Sequence, residues 1–179
     1  MTDSSAASDL SPRAREIVAA ARDLLEAEGP EALSMRRVAG RLGIRAPSLY
    51  NHLPDKEALE AALISAGLAE AAQLFEEAVR GAGDPLGALA AAYREFAREH
   101  PHLYRLMTGG PLPRERLVPG VEARAAQPVV EAMRGDVDAA RAVWAFAHGM
   151  TILELNGRFP PGADLDAAWE RGLDAFRRV

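Results

Sequence analysis

LGIRAPSLYNHLPDKEAL, residues 42–59, contains a helix that is too short and too polar to have a core of its own. Pro47 suits the first turn of a helix over residues 46–52. Only Leu49 and Leu53 are apolar at helical spacing, so these are the two side chains that the helix can bury. The polar face that remains needs another explanation.

A second short helix precedes this one and is joined to it by a tight turn. Ser34 is a suitable N-cap, and Gly43 ends the helix at the position where glycine is common. Residues 34–53 are therefore predicted to form a helix-turn-helix, in which the second helix enters the major groove of DNA. Any pair of helices joined by a short turn gives a similar pattern, so the spacing alone leaves both interpretations open.

The rest of the chain is also predicted to be helical, without a strand pattern or an internal repeat. Further helices are expected at about 11–29, 55–80, 85–99, 101–108, 136–157 and 164–178. Another is expected from the loop 108–113 to about residue 134, with an interruption near Pro119-Gly120. The chain is therefore predicted to be all-α with about nine helices. We assign residues 1–10 to a disordered tail, 11–57 to a DNA-binding domain and 58–179 to a larger C-terminal domain.

Composition limits the class of protein. The chain has 179 residues, of which 49% are hydrophobic, and it has no cysteine. The lack of cysteine excludes disulfides, thiolate metal sites and cysteine nucleophiles. The start, MTDSSAASDLSP, is too polar for a signal peptide, and no run approaches the roughly 18 apolar residues of a membrane span. We expect a cytoplasmic protein with no membrane partner.

Charge is distributed unevenly along the chain. The net charge of −5 argues against a general nucleic-acid coat. Residues 57–179 contain 13 arginines and 18 acidic residues, whereas residues 34–56 contain one acidic residue, Asp55. The basic residues of that short segment are Arg36, Arg37, Arg41, Arg45 and Lys56. A DNA-binding surface and a chance cluster on a solvated face both fit this island.

Several residues of the island have side chains that suit DNA. Ser34 can cap its helix and offer its hydroxyl to a phosphate, and Arg36 can pair with guanine or remain solvated. The Tyr50 hydroxyl suits a phosphate, although its ring can instead pack on a neighbouring helix. Asn51 and His52 can contact bases or phosphates, but a lone histidine is more often structural.

LSMRRVAGRLGIRAPSLYNHLPDKEAL, residues 33–59, resembles the DNA-binding segment of the TetR family of transcriptional regulators. The shared features are the Leu-Gly-Ile turn, the Ser-Leu-Tyr-x-His core of the second helix and the Lys-Glu-Ala-Leu that opens the next helix. The resemblance implies that bases are approached by Arg36, Arg45, Ala46, Pro47 and Ser48. It implies that phosphates are held by Ser34, Tyr50 and Lys56.

Two positions add detail to the resemblance. A lysine in the first turn of a helix opposes the helix dipole, so Lys56 makes little structural sense but good sense beside a phosphate. Ala46 stands where the tetracycline repressor has a longer polar residue that reads bases. The operator sequence therefore does not carry over to this chain.

The C-terminal half resembles one subgroup of the family. WAFAHGMTILELNGRF, residues 144–159, matches a Trp-x-x-x-His-Gly signature of that subgroup. Residues 142–153 carry no charge, and their apolar side chains form two stripes, so this helix needs cover on both faces. The family dimerises through its last two long helices, which implies a homodimer interface of Trp144, His148, Ile152, Leu155, Leu165, Trp169, Leu173 and Phe176. A monomer whose core covers the helix is the alternative.

The resemblance also implies a ligand pocket among the middle helices. The candidate lining residues are Tyr93, Phe96, His100, Tyr104, Met107, Trp144 and His148. Each of them can equally be an ordinary core residue. The mixture is apolar with few charges, which suits a hydrophobic or aromatic small-molecule effector.

The function implied is that of a homodimeric repressor, which a small molecule releases from a palindromic operator in double-stranded DNA. Activation instead of repression stays open. A helical metalloenzyme is a second hypothesis, because Glu99-x-x-His102 has the spacing of di-iron bundles, although Pro101 interrupts it. A non-specific architectural DNA-binding protein is a third. No nucleophile–base pair or phosphate-binding loop stands out, so we expect a non-enzyme with no cofactor and no metal.

Overall fold

The computed structural model describes residues 10–178, and this part of the chain contains nine α-helices and no strand. The helices are α1 Pro12–Glu28, α2 Met35–Arg41, α3 Ala46–Tyr50, α4 Lys56–Val79, α5 Pro85–Glu99, α6 Pro101–Thr108, α7 Val121–Ala132, α8 Val137–Leu155 and α9 Leu165–Arg177. The predicted all-α class with about nine helices is confirmed. Residues 1–9 of the predicted disordered tail lie outside the described residues.

Side-chain caps determine where several helices begin. The Ser11 Oγ accepts a hydrogen bond from the Ala14 N–H at 3.2 Å, and Pro12 occupies the first helical position of α1. Asp55 caps α4 by accepting from the Ala58 N–H at 2.6 Å. Such caps satisfy amide groups that have no partner within the helix. The cap at Asp55 agrees with the helix that the sequence predicts from about residue 55.

The elements differ from the predicted ones at three places. The helix predicted over 46–52 ends as an α-helix at Tyr50. Residues Pro30–Ala32 and Arg114–Arg116 form 3-10 turns that periodicity did not indicate, because three residues are too few to show a period. The interruption expected near Pro119-Gly120 is real: Gly120 has a φ of +78°, and α7 begins only after it.

The described chain divides into two compact units. The first contains the chain up to Glu70 together with His100–Glu122, and the second contains Ala71–Glu99 together with the chain from Ala123 onward. The first unit therefore includes α6 as well as the predicted helix-turn-helix. The functional boundary predicted at residue 57 stays a prediction.

The core of the first unit lies among its short helices. Leu49 and Leu53, the two predicted inward residues, are 0% and 5% exposed, and Ile17 of α1 is also fully buried. α1 also caps α6, because the Glu26 carboxylate accepts from the Leu103 N–H at 2.8 Å. α1 is thus joined to α6, and α2 packs against both α1 and α3.

The core of the second unit packs α8 against α5 and α9. The buried face of α8 consists of Ala140, Val143, Ala147 and Thr151. Trp169 and Leu173 of α9 are each 4% exposed in the same unit. Phe146 packs so closely on Gly172 that a side chain there has no room. One face of α8 is therefore fully used within its own chain.

One helix among residues 10–178, α4, is long and apolar enough to cross a membrane by length and composition alone. Its Leu59 and Leu63 are 0% and 1% exposed. Burial of such residues inside the chain accounts for the apolar character of a core helix.

Candidate nucleic-acid interface

α2 and α3 form a helix-turn-helix in the first unit. Gly43 has a φ of +66°, which turns the chain after α2, and the Ile44 N–H closes the helix end by donating to the Ala39 carbonyl at 3.0 Å. α3 then buries a single side chain, Leu49. The sequence produces this arrangement locally, through one glycine and one apolar anchor.

The outer face of α3 is open to solvent. Exposed side chains here are Arg45, Pro47, Ser48, Tyr50, Asn51 and His52, while Ala46 is half-buried. Tyr50 is 49% exposed, so its ring is not sealed against a neighbouring helix. All seven candidate residues of 45–52 therefore lie on one short segment around Leu49. Their roles in DNA binding stay predictions.

The start of α2 presents one free cation and one paired cation. Ser34 acts as the cap, because its Oγ accepts from the Arg37 N–H at 3.4 Å. The Arg37 side chain pairs with Glu28 of α1. Arg36 is exposed and forms no ion pair within residues 10–178. Of the two neighbours, Arg36 is the one available to another molecule.

Lys56 has a structural partner that the sequence argument overlooked. Its Nζ lies 3.2 Å from Glu60 Oε1, an ion pair between neighbouring turns of α4. The expectation that Lys56 makes little structural sense was therefore wrong. Its side chain is still 52% exposed, so a phosphate can reach it.

The basic island keeps three unpaired arginines. Of its five cations, Arg37 and Lys56 pair with carboxylates of the same unit. Arg36, Arg41 and Arg45 are exposed and form no ion pair in the described part of the chain. Unpaired guanidinium groups favour contacts with phosphates or base edges.

Sequence reasoning missed one residue beside this surface, Arg116. Its Nη1 donates to Asp55 Oδ1 at 2.9 Å and to Asp55 Oδ2 at 3.2 Å. The two residues lie 61 positions apart, and no local pattern connects them. Only the packing of the chain reveals the contact.

The candidate pocket residues are distributed over both units. His100, Tyr104 and Met107 belong to the first unit, and Tyr93, Phe96, Trp144 and His148 belong to the second. Tyr104 and Phe96 are buried at 2% and 3% exposure, whereas Trp144 is 53% exposed. The predicted effector site stays a prediction.

Two open cavities lie in the second unit. One, of about 350 Å³, is lined by residues that include Leu86, Met133 and Phe176, and the other, of about 460 Å³, lies beside Glu76 and Arg124. Neither is lined by any of the seven pocket candidates. The first holds two arginines and two aspartates, so no single charge dominates it.

The candidate dimer residues differ in exposure, and Ile152, Leu155 and Leu165 are half-buried. Trp169 and Leu173 are buried in the core of their own unit, and Phe176 lies with its ring centroid 5.9 Å from that of Phe146. Trp144 is exposed and stacks on His148 with centroids 6.1 Å apart. The open apolar face is therefore on α8.

Two further apolar side chains of α8 are exposed, Leu153 at 40% and Val137 at 46%. Val137 lies about two turns before Trp144 and on the same side of the helix. Leu153 lies about two and a half turns after Trp144, on the other apolar stripe, where the sequence pattern places it.

The described residues provide no cluster of metal-ligating side chains that would favour the metalloenzyme hypothesis. Within residues 10–178, no group of three or more His, Asp or Glu side chains is arranged to hold a metal ion. Glu99 is exposed at the end of α5, and His102 lies in the first turn of α6.

Two family models match the chain. Residues 17–63 match the bacterial regulatory proteins of the tetR family, and residues 86–176 match a tetracyclin repressor-like C-terminal domain. An uncharacterised HTH-type transcriptional regulator of Mycobacterium tuberculosis is 31% identical over 151 residues, which are 79% of this chain and 69% of that protein. The class A tetracycline repressor of transposon 1721 from Escherichia coli is 46% identical over 54 residues, 30% of this chain and 25% of that protein.

Solved structures are similar over almost the whole chain. A protein of unknown function from Rhodococcus sp. RHA1 aligns with a TM-score of 0.78 and 26% identity, covering 96% of each chain. A TetR variant from Acinetobacter baumannii AYE in complex with minocycline aligns with a TM-score of 0.64 and 25% identity, covering 89% of this chain and 91% of that one. With its helix-turn-helix, its nine described helices and both matching domains, the chain belongs to the TetR family of transcriptional regulators.

Proposed function

We propose that the protein is a homodimeric repressor, which binds a palindromic DNA operator and leaves it when a small molecule binds. The observation that carries this proposal is the composition of the candidate interface. α3 buries only Leu49, and Arg36, Arg41 and Arg45 are left without ion pairs in the described chain. A surface of this kind gains most from contact with a polyanion.

Within this proposal the contacts divide by their chemistry. Arg36 and the segment 45–48 read base edges, because a guanidinium can donate two hydrogen bonds to guanine. Ser34, Tyr50 and Lys56 hold phosphates, which fixes the orientation of α3 in the groove. Asn51 and His52 lie at the end of α3 and contact either group.

The dimer is proposed to form through the open face of α8. Trp144 and Val137 are 53% and 46% exposed and lie on one side of the helix, about two turns apart. Large exposed apolar side chains on one helix face favour a protein partner. A two-fold dimer would present two α3 helices, and operator half-sites are then separated by about 34–36 Å, one DNA turn.

The effector is proposed to bind in the C-terminal domain and to favour a dimer with the wrong spacing of recognition helices. A similar TetR structure holds minocycline, an aromatic ligand of that protein. The apolar and aromatic candidates of this chain support a hydrophobic or aromatic effector. We propose that the protein acts in the cytoplasm, and that it binds its ligands without catalysing a reaction.

A gel shift on the DNA that flanks the protein's own gene tests this function. We expect a discrete band that resists an excess of scrambled competitor, with a footprint of two half-sites one DNA turn apart. A shift erased equally by scrambled DNA would instead indicate a non-specific architectural protein. Small molecules are then screened for release of the complex, and a screen that yields only anionic, highly polar effectors contradicts the proposed ligand class.

A further inference from the structure

Arg116 contacts both carboxylates that flank Lys56 at the start of α4. Its Nη1 donates to the two Asp55 oxygens at 2.9 and 3.2 Å, and its Nη2 lies 3.0 Å from Glu57 Oε2. Arg116 ends the 3-10 turn Arg114–Arg116, far along the chain from α4. One guanidinium therefore bridges the residues on either side of Lys56.

The backbone that follows Arg116 is attached to the same helix. Leu117 is 9% exposed and packs with Ala61 and Ile64 of α4. The Val118 N–H donates to the Ser65 Oγ of α4 at 3.1 Å, and Ser65 is 4% exposed. Because these buried contacts fix the segment on α4, they also determine where the Arg116 guanidinium can reach.

Both carboxylates oppose the proposed DNA contact when they carry their charge. Asp55 caps α4, and the Ala58 N–H together with the Arg116 guanidinium holds the pKa of Asp55 below its ordinary value of 3.8. Asp55 is therefore ionised at neutral pH, and Glu57 is 74% exposed beside it. Without a counter-charge, these groups would repel a phosphate that approaches Lys56.

We infer that Arg116 is a positioning residue for DNA binding, which holds the first turn of α4 and neutralises Asp55 and Glu57 so that Lys56 can receive a phosphate. The inference rests on the proposed function and adds to it a residue outside the helix-turn-helix. Arg116 acts through these carboxylates and does not itself touch DNA.

The test compares Arg116→Ala with Arg114→Ala. Arg114 lies in the same 3-10 turn, pairs with one carboxylate through Nε at 2.9 Å from Glu122 Oε2, and costs the same charge when removed. Affinity is measured by fluorescence anisotropy over a series of salt concentrations, on duplexes that the wild-type protein selects from a random-sequence pool. We expect Arg116→Ala to bind about fivefold more weakly and Arg114→Ala to change by less than about twofold.

A charge-compensated background separates this role from a merely structural one. Asp55→Asn with Glu57→Gln removes both repelling charges, and asparagine still caps a helix. In that background we expect Arg116→Ala to have almost no effect on affinity. In the wild-type background, Arg116→Lys should recover part of the loss, because lysine restores the charge but not the paired donors.

Each other outcome overturns the inference in a recognisable way. Equal affinities of the Arg116→Ala and Arg114→Ala proteins remove the role of Arg116 and leave the proposed function intact. A loss that persists in the compensated background, with a salt slope smaller by about one, means that Arg116 contacts a phosphate itself. A loss in both backgrounds that follows a lowered melting temperature means a structural role. A wild-type protein that enriches no sequence overturns the proposed function and this inference together.

Discussion

Arg94 and Glu154 form an ion pair within the second unit, with Arg94 Nε 2.9 Å from Glu154 Oε2. Glu154 also accepts a hydrogen bond from Trp169 Nε1 at 2.6 Å, and the Arg94 guanidinium lies 5.8 Å from the centroid of the Trp169 ring. The pair joins α5, α8 and α9. It therefore holds the buried side of α8 in place while the other side stays open.

Replacing Glu154 should destabilise the protein. Its side chain is 11% exposed, so Glu154→Ala leaves the Trp169 N–H without its partner and leaves Arg94 with the exposed Asp166 alone. We expect a loss of about 2 kcal/mol in the free energy of unfolding, measured by urea denaturation. Asp166→Asn is the matched control, because Asp166 pairs with the same arginine but is 88% exposed. If the two variants shift the urea midpoint equally, burial of Glu154 is not the reason for the loss of stability.

Arg36 and Arg37 are neighbours on α2 and provide a test of base reading. Arg36→Ala should weaken binding to the operator by about tenfold or more while affecting scrambled DNA far less, because a bidentate pair with guanine is lost. Arg37→Ala removes the same charge, but its guanidinium is already held by Glu28. Competition binding with operator and scrambled duplexes checks this. If both variants lose the preference for operator over scrambled DNA to the same degree, Arg36 does not read a base.

Lys56 is expected to contribute affinity and no sequence preference. Lys56→Ala should weaken binding to operator and to scrambled DNA to the same degree. It should also reduce the salt dependence of the affinity, with a log–log slope smaller by about one. Glu60→Gln should strengthen binding, because the carboxylate 3.2 Å from the Lys56 Nζ no longer competes with phosphate. A weaker complex for Glu60→Gln would show that the ion pair orients Lys56 instead.

Trp144 is the residue through which the proposed dimer is tested. Trp144→Glu places a charge in the centre of the open face of α8 and should convert the dimer to a monomer in sedimentation analysis. DNA affinity should fall with it, because two linked recognition helices become one. Ala91→Glu, at an exposed position of α5, controls for the added charge. A wild-type monomer, or a dimeric Trp144→Glu protein, excludes this interface.

The contacts of Asp84 predict that the free energy of unfolding depends on pH in the acid range. It pairs with Arg177 at 2.5 Å and caps α5 through the Gly87 N–H at 3.1 Å, and the Arg177 hydrogen bond is the main reason why the pKa of Asp84 is lowered from 3.8. A lowered pKa gives stability that is complete above the unfolded value and is lost as the pH falls through the folded value.

The measurement compares wild type with Asp84→Asn by urea unfolding at several pH values. The difference between their free energies of unfolding should be constant at neutral pH, begin to shrink below about pH 4 and disappear only below the lowered pKa of folded Asp84. Asp164→Asn is the control, because Asp164 caps α9 without contacting Arg177. The same acid-dependent difference in the control would remove Arg177 as the cause.

Much of the candidate interface was predictable because its determinants are local. Ser34, Gly43 and Asp55 act on amides or dihedrals within three residues of themselves, so their types and spacing indicate where α2 ends and α4 begins. The exposure of the α3 face follows from the scarcity of apolar residues around Leu49. The same reasoning failed at Lys56 only because its partner Glu60, one turn away, was not considered.

By itself, the sequence determined the all-α class, most helix boundaries and the short polar recognition helix, because capping, turn geometry and helical periodicity act over a few residues. Tertiary structure decided how the two apolar stripes of α8 are covered: Phe146 packs on Trp169 of α9, whereas Trp144 stays open. It also brought Arg116 to Asp55 across 61 positions. Burial and long-range ion pairs depend on how distant helices pack, and no local pattern of residue types contains that information.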